Sequence, residues 1–141
     1  MLKPKEDKRS IDIGILVSDI EKSLHFYHTI LGIKKTGEND ATTGRMYRLR
    51  YCDTDIKLVV PRREPKPGIG PIGLDRQLGL RYFSFVVTNL DEVVERLEEH
   101  GVPFTFPKKK IRPQTTIAMV EDPDGNIVEF VERGPEYVEK T

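Results

Sequence analysis

The chain has 141 residues, enough for one domain that buries roughly two-thirds of the surface its unfolded form exposes, so no disulfide or structural metal is required for stability. Its 23 basic and 23 acidic side chains balance, which argues against recruitment of nucleic acid or a membrane by bulk charge. A single cysteine, Cys52, excludes an internal disulfide, and no run approaches the ~20 apolar residues of a spanning helix; with a polar opening, MLKPKEDKRS, a soluble cytoplasmic protein is expected.

After a polar tail at residues 1–10, a first strand over about Ile11 to Val17 alternates Ile11, Ile13, Ile15 and Val17 with Asp12, Gly14 and Leu16. Ser18 opens S-D-I-E, a capping box with Glu21, so a helix is expected from Asp19 to about Leu31 with Ile20, Leu24, Tyr27 and Leu31 as its buried stripe. Gly32 stops it. A short strand, a polar loop at Gly37 to Gly44 and two strands, RMYRLRY and DIKLVV, complete the unit, with Asp53 and Thr54 as the tight turn between them. Residues 62–79, rich in proline and glycine, read as a linker that crosses to a second module and shapes the rim of a site.

The second module repeats this grammar over residues 80–132: RYFSFVV, a helix capped by T-N-L-D, a stop at Gly101, then TTIAMVE and NIVEFVE joined by D-P-D-G. Residues 133–141 form a tail. Lys108, Lys109 and Lys110 read as a solvated loop with no interleaved aromatic for base stacking. D-P-D-G reads as a turn without the further ligands of a calcium loop.

Two βαβββ modules in tandem, with VSDIEKSLHFYHTILG in the first and EDPDGNIVEF closing the second, resemble the vicinal oxygen chelate superfamily, also called the glyoxalase, bleomycin-resistance and extradiol-dioxygenase superfamily. The resemblance spans about residues 10 to 132. It implies an α+β fold in which the modules form a cup-shaped mixed sheet with helices on the outer face, and a homodimer. Activity is not implied, because the fold carries isomerases, ring-cleaving enzymes, epimerases and proteins that sequester drugs.

In metal-binding relatives the ligands come from the first and last strand of each module. Carried onto this chain, those positions are Asp12, Lys57, Tyr82 and Glu129. Asp12 and Tyr82 lie 70 residues apart, and Lys57 and Glu129 lie 72 apart, close to one repeat length, so all four are expected to converge. A divalent transition metal favours imidazoles and carboxylates. None of the four is histidine, and the ammonium of Lys57 has no lone pair. His25, His28 and His100 fall on the helices. No cofactor is therefore expected; a divalent metal is disfavoured and, if bound, would have only Asp12 and Glu129.

If Asp53 and Thr54 form the turn, Tyr51 faces Ile56, Arg50 faces Lys57 and Arg48 faces Val59, with Met46, Arg48, Arg50, Lys57 and Val59 on the concave side. The same argument through D-P-D-G puts Glu129 beside Ala118, on a face with Thr116 and Val120, to which the first strand adds Ser84 and Val86. One half of the cup is then basic and the other small and mildly polar, which suits an anionic small-molecule ligand held by arginine forks.

Two functions remain open. One is a lyase- or isomerase-like enzyme acting on a small oxygenated anion, with Lys57 polarising the substrate, Glu129 moving a proton, Tyr82 orienting the substrate or serving as acid, and Arg48, Arg50, Ser84 and Asp12 binding it. The other is a non-catalytic binding or antibiotic-resistance protein. Cys52 lacks an activating neighbour in sequence and is not assigned as a nucleophile.

Overall fold

Alternating strands and two helical segments build the same unit twice. The first runs β1 (Ile13–Leu16), α1 (Ile20–Leu24) continued by a π-helical turn (His25–Ile30), β2 (Lys34–Asp40), β3 (Gly44–Tyr51) and β4 (Thr54–Pro61). The second runs β5 (Tyr82–Val87), α2 (Leu90–Glu99), β6 (Phe104–Arg112), β7 (Thr115–Glu121) and β8 (Ile127–Arg133). The computed structural model describes residues 1–67, 74–75 and 78–138; part of the linker expected over 62–79, and the rim role given to it, lie outside the described residues. The chain divides into two compact units, residues 1–67 and 68–141.

Each unit holds a four-stranded mixed sheet, in the orders β1-β4-β3-β2 and β5-β8-β7-β6. The strand before the helix pairs in parallel with the last strand of its unit, and the other pairings are antiparallel. The α+β class and the two βαβββ modules follow directly. In the first unit the helical side of the sheet buries Ile15, Leu49, Ile56 and Leu58 with Phe26, Tyr27 and Ile30. In the second, Phe85 stacks on Phe130, with Val128, Ala118 and Val120 on the same face and Leu90 and Leu97 of α2 buried.

Several local expectations are corrected. The strand expected from Ile11 begins at Ile13, and Ile11 is exposed, because residues 8–10 bond to the β3–β4 turn instead of pairing as strand. Asp19, not Ser18, caps α1, its carboxylate accepting from the amides of Glu21 and Lys22 at 3.0 and 3.2 Å. The π-helical turn widens the helix, so the buried stripe becomes Ser23, Phe26, Tyr27 and Ile30 while Ile20, Leu24 and Leu31 are only half-buried. α2 draws its cap from across the unit, where Glu132 of β8 accepts from the Leu90 amide at 3.2 Å. The polar stretch from Gly37 is strand as far as Asp40. Lys108 to Lys110 lie in β6 rather than a loop, and are exposed.

Both hairpins differ in register from expectation. Between β3 and β4 the turn residues are Cys52 and Asp53, Cys52 taking φ 52°, so Tyr51 pairs with Thr54, Arg50 with Asp55 and Arg48 with Lys57. This is a shift of two residues, which preserves the faces. Between β7 and β8, Asp122 pairs with Asn126 around a three-residue loop that ends on Gly125 at φ 87°. Glu129 therefore pairs with Met119, not Ala118. A shift of one residue exchanges the faces, so Thr116, Ala118 and Val120 point away from Glu129.

Asp122 fixes that loop. It is buried, and its carboxylate accepts from the amides of Asp124 and Asn126 at 3.0 and 2.8 Å and from the Asn126 side chain at 2.9 Å. Asp122→Ala strands those donors and is expected to destabilise the protein by about 2 kcal/mol in urea unfolding, with Asp122→Asn costing less; an alanine variant of unchanged midpoint would contradict this role.

Candidate functional site

The face of the first sheet opposite α1 carries Asp12 just before β1, Met46, Arg48 and Arg50 of β3, and Asp55, Lys57 and Val59 of β4. Parallel pairing sets Gly14 beside Lys57, and a side chain added at Gly14 would meet nothing within 4 Å, so the β1 side of Lys57 is open. Arg48 stands directly opposite Lys57. Two cations in one cross-strand pair repel; Arg48 donates to the neutral Asn39 side chain, and Lys57 Nζ lies 3.4 Å from Asp12 Oδ2. Arg50 donates to Asp55 at 2.8 Å, an ion pair that lowers the pKa of Asp55 and raises that of Arg50.

Asp12 is the hub of this cluster. Its Oδ1 lies 2.6 Å from Lys8 Nζ and accepts from the Asp55 amide at 3.1 Å. Lys8 has no periodic signal in the sequence and was not expected here. It arrives because the segment before β1 docks on the turn: Lys8 Nζ and Ser10 Oγ donate to the Asp53 carbonyl, and the Arg9 amide donates to the Asp53 carboxylate at 2.6 Å. Asp55 could have been read from alternation two residues before Lys57. Cys52 is exposed at the turn.

In the second unit Glu129 takes the register position that Lys57 takes in the first. Its neighbour in β5 is Ser84, whose hydroxyl donates to Glu129 Oε1 at 2.6 Å, while Tyr82 pairs with Ile127 one step along the same face. Around them lie Ile117, Met119, Ile127 and Val131, buried as one cluster with Phe106 packed on it, and the more exposed Tyr82 and Val86. The small, mildly polar face expected here is therefore an apolar one set around a carboxylate. Counting D-P-D-G as a three-residue loop with glycine in the left-handed position would have found Met119 and Ile117; Phe106 follows from its pairing with Met119.

The fold agrees with comparison to known proteins. Residues 11–130 match the profile of the Glyoxalase/Bleomycin resistance protein/Dioxygenase superfamily, and the chain belongs to that superfamily. It is similar to the lactoylglutathione lyase of Escherichia coli O157:H7, 30% identical, with 88% of this chain and 92% of that protein covered. A probable chloroplastic lactoylglutathione lyase of Arabidopsis thaliana is 28% identical over 93% of this chain, which spans only 38% of that relative's length. Among solved structures, a glyoxalase/dioxygenase from Nostoc punctiforme superposes with TM-score 0.75 at 19% identity, covering 95% of this chain and 97% of that one. An antibiotic binding protein from Streptomyces sp. CB03234 superposes with TM-score 0.67 at 25% identity, covering 87% and 93%. No helix among the described residues is long and apolar enough to cross a membrane.

Members of this superfamily typically use a metal, and the residues here do not fit one. Lys57, expected at a ligand position, is a cation, and Asp12 is already engaged by two ammonium groups and an amide. Among the described residues no three His, Cys, Asp or Glu side chains stand close enough to hold an ion. His28 and His100 instead bond main-chain oxygens of Ile33 and Arg96.

Lys8, with the Asp55 amide and Lys57, holds the Asp12 carboxyl down at about 2 from the ordinary 3.8. A carboxyl whose pKa falls on folding stabilises the folded state above its unfolded value and loses that contribution as pH drops through the folded one. Stability is thus expected to decline between about pH 4 and pH 2 less steeply in Asp12→Asn than in the native protein, by under about 1 kcal/mol because the pair is partly exposed. Identical acid-unfolding profiles would contradict the arrangement.

Proposed function

We propose that this protein is a lyase- or isomerase-like enzyme acting on a small oxygenated anion, without a histidine-based metal site. The observation that carries the reading is Arg48 and Lys57 held side by side in register on one sheet face, with Arg50 and Lys8 nearby and Asp12 and Asp55 as ion-pair partners. Adjacent cations that cost free energy in the empty protein are favoured by a ligand carboxylate or phosphate, which accepts hydrogen bonds from both.

The two units carry different chemical groups, each read within its own unit. In the first, Lys57 engages the substrate's oxyanion or carbonyl oxygen and offsets charge that develops on it, with Arg48 and Arg50 orienting the anionic group. In the second, Glu129, oriented by Ser84, takes a proton from a hydroxyl-bearing carbon next to a carbonyl and returns it to the carbonyl carbon, while the hydroxyl proton passes to the former carbonyl oxygen, so that hydroxyl and carbonyl exchange places with no proton lost overall. Tyr82, half exposed on the same face, orients the substrate or donates to its oxygen. The lactoylglutathione lyases to which the chain is similar support a lyase or isomerase class. The reading takes the protein to be a cytoplasmic homodimer.

A second reading is favoured by one specific observation. Ile117, Met119, Phe106, Val131 and Tyr82 around Glu129 form an apolar and aromatic face suited to an organic ligand, and the antibiotic binding protein shares the fold at 25% identity. On that reading the protein sequesters its ligand and leaves it unchanged.

A panel of 2-oxo acids, 2-hydroxy acids and phosphate esters, followed by proton NMR for both binding and conversion, separates the two. Under the enzymatic reading Lys57→Met abolishes conversion and Glu129→Gln lowers kcat by about a hundredfold. Conversion that survives Lys57→Met overturns the proposed centre. Saturable binding without conversion in native protein and variants alike selects the sequestering reading.

A further inference from the structure

The segment before β1 reaches the Asp12–Lys57 pair. Asp12 presents its two oxygens to different partners: Oδ1 takes Lys8 at 2.6 Å and the Asp55 amide at 3.1 Å, and Oδ2 takes Lys57 at the longer distance of 3.4 Å. Lys8 is held in place from its other side, since its ammonium also donates to the Asp53 carbonyl, while Arg9 and Ser10 bond Asp53 as well. Asp12 therefore keeps its closer ammonium and its amide if Lys57 leaves. Without Lys8 the Asp12 carboxylate would have Lys57 as its ammonium partner, and releasing Lys57 to a ligand would separate that pair.

We propose that Lys8 is a positioning residue for anion binding: docked on the β3–β4 turn, it takes the nearer oxygen of the Asp12 carboxylate and so weakens the hold of Asp12 on the Lys57 ammonium, which an anionic ligand can then engage. This rests on the reading of Lys57 as an anion-binding group. The low pKa of Asp12, due first to Lys8, agrees with that division of labour, because a carboxylate ionised throughout the working range competes constantly for Lys57.

The test is titration of the full chain with inorganic phosphate and with glycolate, read by calorimetry or amide shifts. Lys57→Met is expected to weaken binding by about tenfold, the scale of a charge-assisted hydrogen bond, and Lys8→Met by about threefold, the scale of an exposed ion pair. Lys8→Arg is expected to retain most of the affinity.

The decisive readout is rescue. Lys8→Met combined with Asp12→Asn removes the competing carboxylate and is expected to restore binding, whereas Lys8→Met combined with Asp7→Asn has the same net charge and stays weak. Lys5→Met removes a cation that pairs with Asp7, and leaves affinity unchanged. If Lys8→Met binds as the native protein does while Lys57→Met does not, the role of Lys8 is overturned and the anion site stands. If both double variants recover equally, general charge explains the effect and the proposal falls. If native protein binds neither probe, the anion-site reading fails and takes the proposal with it.

Discussion

Side chains of a β-strand alternate between two faces, so the parallel register of β1 on β4 and of β5 on β8 decides which groups share a face in each unit. It sets Gly14 beside Lys57 and Ser84 beside Glu129. A slip of one residue in either pairing would turn Lys57 or Glu129 into the apolar layer against the helix, at a cost far above what exposed ion pairs return. The core residues Ile15, Ile56, Leu58 and Leu49 on one side of the first sheet, and Phe85, Val128 and Phe130 in the second, hold those registers. The polar groups take their places as a consequence.

The two units use the same position for opposite charges. Lys57 sits next to a glycine and opposite an arginine, and its counter-ion comes from Asp12; Glu129 sits next to a serine and opposite a methionine. The first face is polar and cationic, and the second is apolar around one carboxylate. The first kind of surface suits an oxygenated anion and the second an organic body, and the enzymatic and sequestering readings differ in whether Glu129 exchanges a proton with a ligand.

Much of this was legible in the sequence because alternation and capping are local. The βαβββ repeat and the set of Met46, Arg48, Arg50, Lys57 and Val59 on one sheet face needed no long-range information, whereas the cap of α2 came from Glu132, and a misplaced turn at Cys52 and Asp53 shifted the pairing by two residues without moving a side chain to the wrong face. The loop after Asp122 was different: one residue fewer between the strands reversed the face of β7 and replaced a small polar lining by Ile117 and Met119. The π-helical turn at His25–Ile30 departs from the period on which the stripe of α1 was read. Lys8 was illegible because the segment before β1 has no periodicity, and its place depends on Asp53, forty-five residues further on.

Lys57, ion-paired with Asp12, suits an anion and not a metal ion. Elemental analysis of purified protein equilibrated with zinc, nickel, manganese and iron and then dialysed tests this most directly. The account predicts far less than one ion per chain for every metal, unchanged in Asp12→Asn. One tightly held ion per chain, lost in Asp12→Asn or Glu129→Gln, would contradict it.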